Sequence, residues 1–216
     1  MPARKRFRNK KVLLAIILLA LIVCGLIVWR VTSTRSSNSA LPSKDDVIRY
    51  STDKPSEEKP DYNFQWQGGA KDPKKIIIPS IAVDTFIQKV GVDQNNEVAV
   101  PNNLHMVGWF VDTVRPGEMG LSLIDGHVTG RQNDGVFKNL NRLNKGEEFS
   151  VEFGDGSRRT FRVVDKKSAP VKDSVSIMFS QNPSIKNQLN LVTCSGSYDA
   201  NSRTYNERLT VISEQI

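Results

Sequence analysis

The 216-residue sequence holds only two cysteines and two histidines, and that shortage excludes much. Cys24 lies inside an apolar run, so Cys194 alone is left for the rest of the chain and no internal disulfide can form there. His105, His127 and one cysteine give neither a C-x-x-C nor an H-E-x-x-H spacing. No metal and no other cofactor is therefore expected. Net positive charge is scarce too, once it is located. The formal net charge is +7, but Arg4, Lys5, Arg6, Arg8, Lys10 and Lys11 stand in the first eleven positions and leave +1 for everything else. No basic stripe interleaved with aromatics follows, and nucleic acid is not an expected partner.

Val12 to Trp29 is an unbroken apolar run with a single glycine. As a helix it would extend about 27 Å, close to the roughly 30 Å of a bilayer's hydrocarbon. The basic head before it predicts a cell-membrane protein of one pass: a cytoplasmic tail over 1–11, a span over 12–29, and all that follows outside. A cleaved signal peptide is the rival reading. The run is longer than a usual signal core, however, and no A-x-A-like site follows it. Residues 30–73 are rich in Ser, Thr, Asn, Asp, Lys and Pro, with apolar residues widely scattered. Such a segment buries too little to offset its ordering entropy, so it reads as an extracytoplasmic stalk, mostly disordered or loosely docked. Residues 74–216 are of ordinary size for one folded domain.

In that domain short runs of Val, Ile, Leu and Phe recur between turn signals. They are Ile76–Ile78, Phe86–Val90, Leu121–Ile124, Phe149–Phe153, Thr160–Val164, Leu189–Thr193 and Leu209–Ile212. Several alternate apolar with polar residues, and Gly154-Asp155-Gly156-Ser157 is a hairpin signal. Seven or eight strands at this spacing predict an all-β domain, closed or sandwiched. Helical pattern is confined to two short connectors, Gly135–Leu143 and the stretch after Asp173. In the first, Val136, Phe137, Leu140 and Leu143 share a helical face, as in a turn packed on a core.

Cys194 closes one strand before Ser195-Gly196-Ser197, expected as a flexible loop, and His127 closes another between Gly126 and Gly130. A thiol and an imidazole so placed suggest a nucleophile with its acid/base. A buried cysteine and a solvated loop histidine are the plain alternatives. His105, among Leu104, Met106 and Trp109, reads as structural. A pair acting on an amide also needs a donor for the oxyanion, and Arg208 and Arg203 are the candidates.

The order of these pieces resembles the sortase family, the membrane-anchored cysteine transpeptidases of Gram-positive bacteria. The likeness rests on Gly126-His127, on Leu191-Val192-Thr193-Cys194, and on Arg208-Leu209-Thr210-Val211. Further likeness to the class F branch comes from Ile78-Pro79-Ser80-Ile81-Ala82-Val83-Asp84, Val107-Gly108-Trp109-Phe110, Arg115-Pro116-Gly117-Glu118-Met119-Gly120 and Gly135-Val136-Phe137-Lys138-Asn139-Leu140. Two positions depart from the pattern. Asn190 stands where the cysteine signature usually has Thr, and class F members often carry Asn at the place of Arg208, with an arginine nearer Arg203.

The resemblance implies a closed sortase-like β-barrel of seven to eight strands with short helical connectors over 74–216. It implies Cys194 as nucleophile, His127 as acid/base and Arg208 as oxyanion partner, with Arg203 as the alternative arginine. The implied donor is an LPxTG-like C-terminal sorting signal of a surface protein or pilin, cleaved at Thr-Gly. The implied acceptor is the amine of a cell-wall precursor or of a pilin lysine. Two other readings stay open at this stage: a non-catalytic extracytoplasmic binding or adhesion domain, and another exported cysteine peptidoglycan transpeptidase.

Overall fold

The computed structural model describes residues 47–61 and 64–216. The expected basic tail, the apolar span 12–29 and the first part of the stalk lie outside the described residues. Among the described residues no helix is long and apolar enough to cross a membrane.

Nine strands are formed: β1 (Val47–Ile48), β2 (Pro73–Ile78), β3 (Val83–Val90), β4 (Val107–Phe110), β5 (Gly120–Gly126), β6 (Glu148–Phe153), β7 (Arg158–Pro170), β8 (Asn187–Asp199) and β9 (Thr204–Gln215). They hydrogen-bond in the order β1-β3-β2-β6-β7-β9-β8-β5-β4, and β4 pairs back onto β3. That last pairing closes eight strands into a barrel, as the resemblance implied, and leaves β1 as a short addition outside the ring. The hairpin expected at Gly154–Ser157 joins β6 to β7, with the Phe153 N–H donating to Ser157 O at 2.9 Å.

Alternation decides what faces inward. In β6 the inward residues Phe149, Val151 and Phe153 are all buried, and Phe149 stacks on Phe161 of β7 with ring centroids 5.6 Å apart. Ile124, Leu191 and Val211 form one inward row across β5, β8 and β9, since Ile124 pairs with Leu191 and Leu191 with Val211. The segment after Gly135 is a connector, as expected. Its Phe137, Leu140 and Leu143 are fully buried in the same core, and only Leu140–Arg142 takes a 3-10 turn.

A second, outer cluster joins Val90, Ala99, Phe110, Leu123 and Val192, with Ile48 and Met178 packed against it. The other connector is the helix α1 (Val171–Met178), which supplies Met178. Asn190 fastens the end of α1. Its Nδ2 donates to Met178 O at 2.8 Å, and its Oδ1 accepts from Gln188 Nε2 at 2.9 Å. A threonine at 190 could not reach that carbonyl, which gives the departure from the signature a structural role.

Three expectations need correction. Ser195–Ser197 is not a free loop. Strand β8 runs on to Asp199 because β9 pairs with it, interrupted by a register shift between Ser195 and Tyr198. Gly196 takes φ 78° at that bulge, and the Ser197 N–H donates to Asn206 Oδ1 at 2.8 Å. The last strand is not confined to the expected run Leu209–Ile212 either, since β9 begins at Thr204 and takes in Arg208. Finally, the described part of the expected stalk is docked. β1 pairs with β3, Trp66 Nε1 donates to Ile87 O at 3.1 Å, and Phe64 packs on Phe86 with centroids 4.7 Å apart. The few apolar residues of this segment find partners on the barrel, so burial supplies what its composition alone does not.

Candidate active site

The site follows from register. Asp125 of β5 pairs with Val192 of β8 in parallel, the last pair of that ladder, and just past its end His127 and Cys194 line one cleft. Cys194 is in turn directly opposite Arg208 of β9. Counting outward from the inward row Ile124–Leu191–Val211, the next row Asp125–Val192–Thr210 faces out, Gly126–Thr193–Leu209 faces in, and His127–Cys194–Arg208 faces out. The three residue types that the sequence had left far apart thus share one row on one face.

Cys194 and His127 line a cleft of about 680 Å³ with Thr129, Tyr198, Arg203 and Tyr205. Residues Thr52 to Pro55 form its remaining wall. Glu57 fixes that segment, its carboxylate accepting from the backbone N–H groups of Arg131 and Gln132 and from Asn133 Nδ2. Tyr198 and Tyr205 stand edge to face with centroids 5.3 Å apart, and Tyr198 remains 54% exposed. A larger hollow of about 830 Å³ beside His105 contains neither Cys194 nor His127. His105 itself is held by Glu57 O at 3.1 Å from its Nε2, in keeping with a structural role.

The two arginines occupy different places. Arg208 stays beside Cys194, its Nη1 donating to Tyr205 O at 3.1 Å and Glu207 O at 3.0 Å, and its charge acts on the thiol. Arg203 stands at the β8–β9 tip with φ 54°, lines the cleft where Arg208 does not, and lies 4.0 Å from Asp53. Both ends of that pair are largely exposed, so solvent screens it.

The protonation states follow from burial. His127 Nε2 lies 2.7 Å from Pro101 O. A carbonyl only accepts, so Nε2 carries the proton and Nδ1 is the basic nitrogen of the neutral ring. Burial lowers the His127 pKa against the opposing pull of that carbonyl. Burial likewise raises the Cys194 thiol, opposed by the Arg208 charge and reinforced by Asp125. Near neutral pH the resting pair is therefore thiol and neutral imidazole, and a nucleophilic thiolate needs a proton passed from sulfur to ring.

Two residues at the site were not singled out from sequence. Thr193, 4% exposed, donates from Oγ1 to Gly126 O at 2.7 Å and so ties β8 to β5 one residue before both Cys194 and His127. Its inward position in the alternation was the available signal. Asp125 is half-buried, and its Oδ1 is buried without a hydrogen-bond partner. Burial holds its carboxyl well above the usual carboxylate range. An acid directly after the run Leu121–Ile124, still within the strand, was the visible anomaly. Among the described residues no group of histidine, cysteine and carboxylate side chains could hold a metal ion.

A closed eight-stranded barrel thus carries a half-buried thiol, an imidazole and a guanidinium of the kinds that cysteine acyl transfer uses. The model of the sortase domain matches residues 76–216, and the chain belongs to the sortase family. Sortases are cysteine transpeptidases that act on sorting signals and amine acceptors. Among solved structures, the chain is similar to sortase A from Corynebacterium diphtheriae at 21% identity and a TM-score of 0.51, covering 69% of this chain and 63% of that one. Sortase C-1 from Actinomyces oris shares 28% identity over 67% of this chain and 75% of that one, with a TM-score of 0.49. A Clostridium perfringens sortase D5 transpeptidase shares 25% over 67% and 79%, also with a TM-score of 0.49. The likeness to the C. diphtheriae structure bears on the fold. No curated protein matches the sequence.

Proposed function

We propose that this chain is a membrane-anchored sortase most like class F, which cleaves an LPxTG-like sorting signal at Thr-Gly and joins the new carboxyl end to a primary amine. The observation that carries the reading is Cys194 paired with Arg208 across β8 and β9, in a cleft whose lining it shares with His127. His127 takes the thiol proton, and the Cys194 thiolate attacks the Thr carbonyl carbon. Arg208 faces the oxygen as negative charge develops, a guanidinium being charged at any working pH. The C–N bond then breaks, the imidazolium returns its proton to the departing glycine amine, and a thioester remains on Cys194. A primary amine, from a cell-wall precursor or a pilin lysine, attacks that thioester and gives its proton to the imidazole. The C–S bond breaks and the thiol is restored. The exposed ring of Tyr198 and the half-buried ring of Tyr205 support recognition of an extended, partly apolar peptide in the cleft.

The apolar run Val12–Trp29 and the basic head support anchoring at the cell membrane with the barrel outside. Anchoring would hold the enzyme at the surface where a lipid-linked acceptor and a newly exported donor meet, raising their effective concentration. The test is mass spectrometry of full-length chain in detergent micelles, incubated with an LPxTG-like peptide and no amine. The expected product is an adduct on Cys194 ending in the threonine residue. An unmodified Cys194, or unchanged turnover by Cys194→Ala, would refute the reading.

A further inference from the structure

Asp125 stands where the fold has no use for a charge. It lies in the row directly beneath His127–Cys194–Arg208, with Val192 and Thr210 beside it, both almost fully buried. Leu123, two residues earlier on the same face of β5, belongs to the apolar outer cluster. On the other flank β4 offers Gly108, paired with Asp125. A Cβ at 108 would meet Asp125 Oδ1 at 2.6 Å and Val90 Cγ1 at 2.8 Å. The carboxyl therefore rests over bare β4 backbone against a valine, and its Oδ1 finds no donor. A leucine or valine would suit this place better for stability alone.

The side chain it does affect is Cys194, on which its charge acts directly. The ionisable and charged groups around it are few. β8 contributes Cys194, on which Arg208 of β9 also acts and with which His127 shares the cleft, while β4 and β3 present Gly108 and Val90. We propose that Asp125 is a positioning residue of the transpeptidation site, whose carboxyl beneath Cys194 restrains the sulfur from becoming a thiolate in the resting enzyme. This rests on the reading of Cys194 as the nucleophile.

The mechanism is the coupling of two acids at close quarters. Whichever ionises first raises the other, and solvent screens the pair only in part because both groups are half-buried. Arg208 opposes this by favouring the thiolate, so the poise of Cys194 is set between one cation and one carboxyl. The thiolate is also the form that oxidants attack, so the restraint spares the one cysteine of the barrel.

The test is the rate of Cys194 modification by methyl methanethiosulfonate, followed on the full-length chain from about pH 5 to about pH 11, which brackets the ordinary carboxyl and thiol ranges. Asp125→Asn and Asp125→Leu should both move the labelling midpoint to lower pH by about one unit, making labelling at pH 7 roughly tenfold faster. The alkaline limb of kcat/KM for an LPxTG-like peptide should move down with it, and peroxide inactivation should quicken in parallel. An unchanged midpoint in folded variants would overturn the proposal, because a merely structural role changes stability and leaves thiol acidity alone. If neither variant folds, the wild-type protein decides. Coupling is reciprocal, so the carboxyl ¹³C shift of Asp125 should show a second inflection at the Cys194 midpoint that is absent in Cys194→Ser. Identical titration curves would overturn it equally. Labelling reads the charge coupling and Cys194→Ala turnover reads the nucleophile, so the two claims fail separately.

Discussion

Replacing Thr193 by valine isolates one hydrogen bond at the point where two strands deliver the reacting groups. The hydroxyl donates to Gly126 O at 2.7 Å from a side chain that is 4% exposed. Valine fills the same volume, so little cavity forms, but the carbonyl loses its donor in a region closed to water. A buried acceptor left unpaired costs about 1–3 kcal/mol, and for a domain of this size each kcal/mol lowers Tm by about 2–4 °C. The expected loss is therefore about 2–12 °C. The kinetic effect should exceed what stability explains, because Gly126 and Thr193 each precede a reacting residue. A displacement of about 1 Å between His127 and Cys194 is enough for a loss of order a hundredfold in kcat, and KM should change little since the cleft walls are untouched. Thermal unfolding by circular dichroism and a fluorescence-quenched LPxTG-like peptide read the two effects, with Thr193→Ser as the rescue. If Thr193→Val unfolds at the wild-type temperature with wild-type kcat, the bond does not position the pair and the argument fails.

Other perturbations follow from the same geometry. Arg208→Ala removes the charge opposite Cys194 and should lower kcat by about 10²–10³ while moving the thiol titration to higher pH. Arg203→Ala should cost less than tenfold, mostly in KM; the reverse ranking, read by steady-state kinetics, would make Arg203 the oxyanion partner. Asn190→Thr removes the donor to Met178 O and one of the two acceptors of Gln188 Nε2, which keeps Ser180 O, and should lower stability by about 1–3 kcal/mol in urea unfolding, with kcat nearly unchanged. Stability should also vary with pH in a stated direction. Folded His127 binds its proton less readily than the unfolded chain, so acidification below the ordinary 6.5 should destabilise the fold until the lower folded value is passed. Asp125, raised on folding, should cost stability as pH climbs from the ordinary 3.8 to its folded value, and Asp125→Asn should remove that loss in a pH series of unfolding curves.

Much of this was legible because period-two alternation is a local property. The runs at Ile76–Ile78, Phe149–Phe153 and Leu209–Ile212 became strands, and Phe137, Leu140 and Leu143 became the inward face of a connector. Closure was not written in any one segment, since it depends on β4 returning to β3 across sixteen intervening residues. The tail of β8 was misread for a related reason. Ser195-Gly196-Ser197 has turn composition, but β9 overrides that local preference by pairing on both sides of the bulge and offering the Asn206 side chain within it. Thr193 and Asp125 escaped notice because one acts through a strand pairing and the other by lacking a partner. Neither condition exists until β5 and β8 lie side by side.

That pairing also explains why the site is hard to disturb by small changes elsewhere. Ile124, Leu191 and Val211 are fully buried in one inward row, three residues inward of His127, Cys194 and Arg208. A slip of one residue in any of the three strands would turn its apolar set outward and expose a large aliphatic side chain, at a cost of about 1.5–3 kcal/mol for each residue moved. β8 alone would lose both Leu189 and Leu191 from the core. The register that buries the core is thus the register that brings sulfur, imidazole and guanidinium together. Destabilising the inward row should therefore lower the folded fraction long before it misaligns the reacting groups within molecules that remain folded.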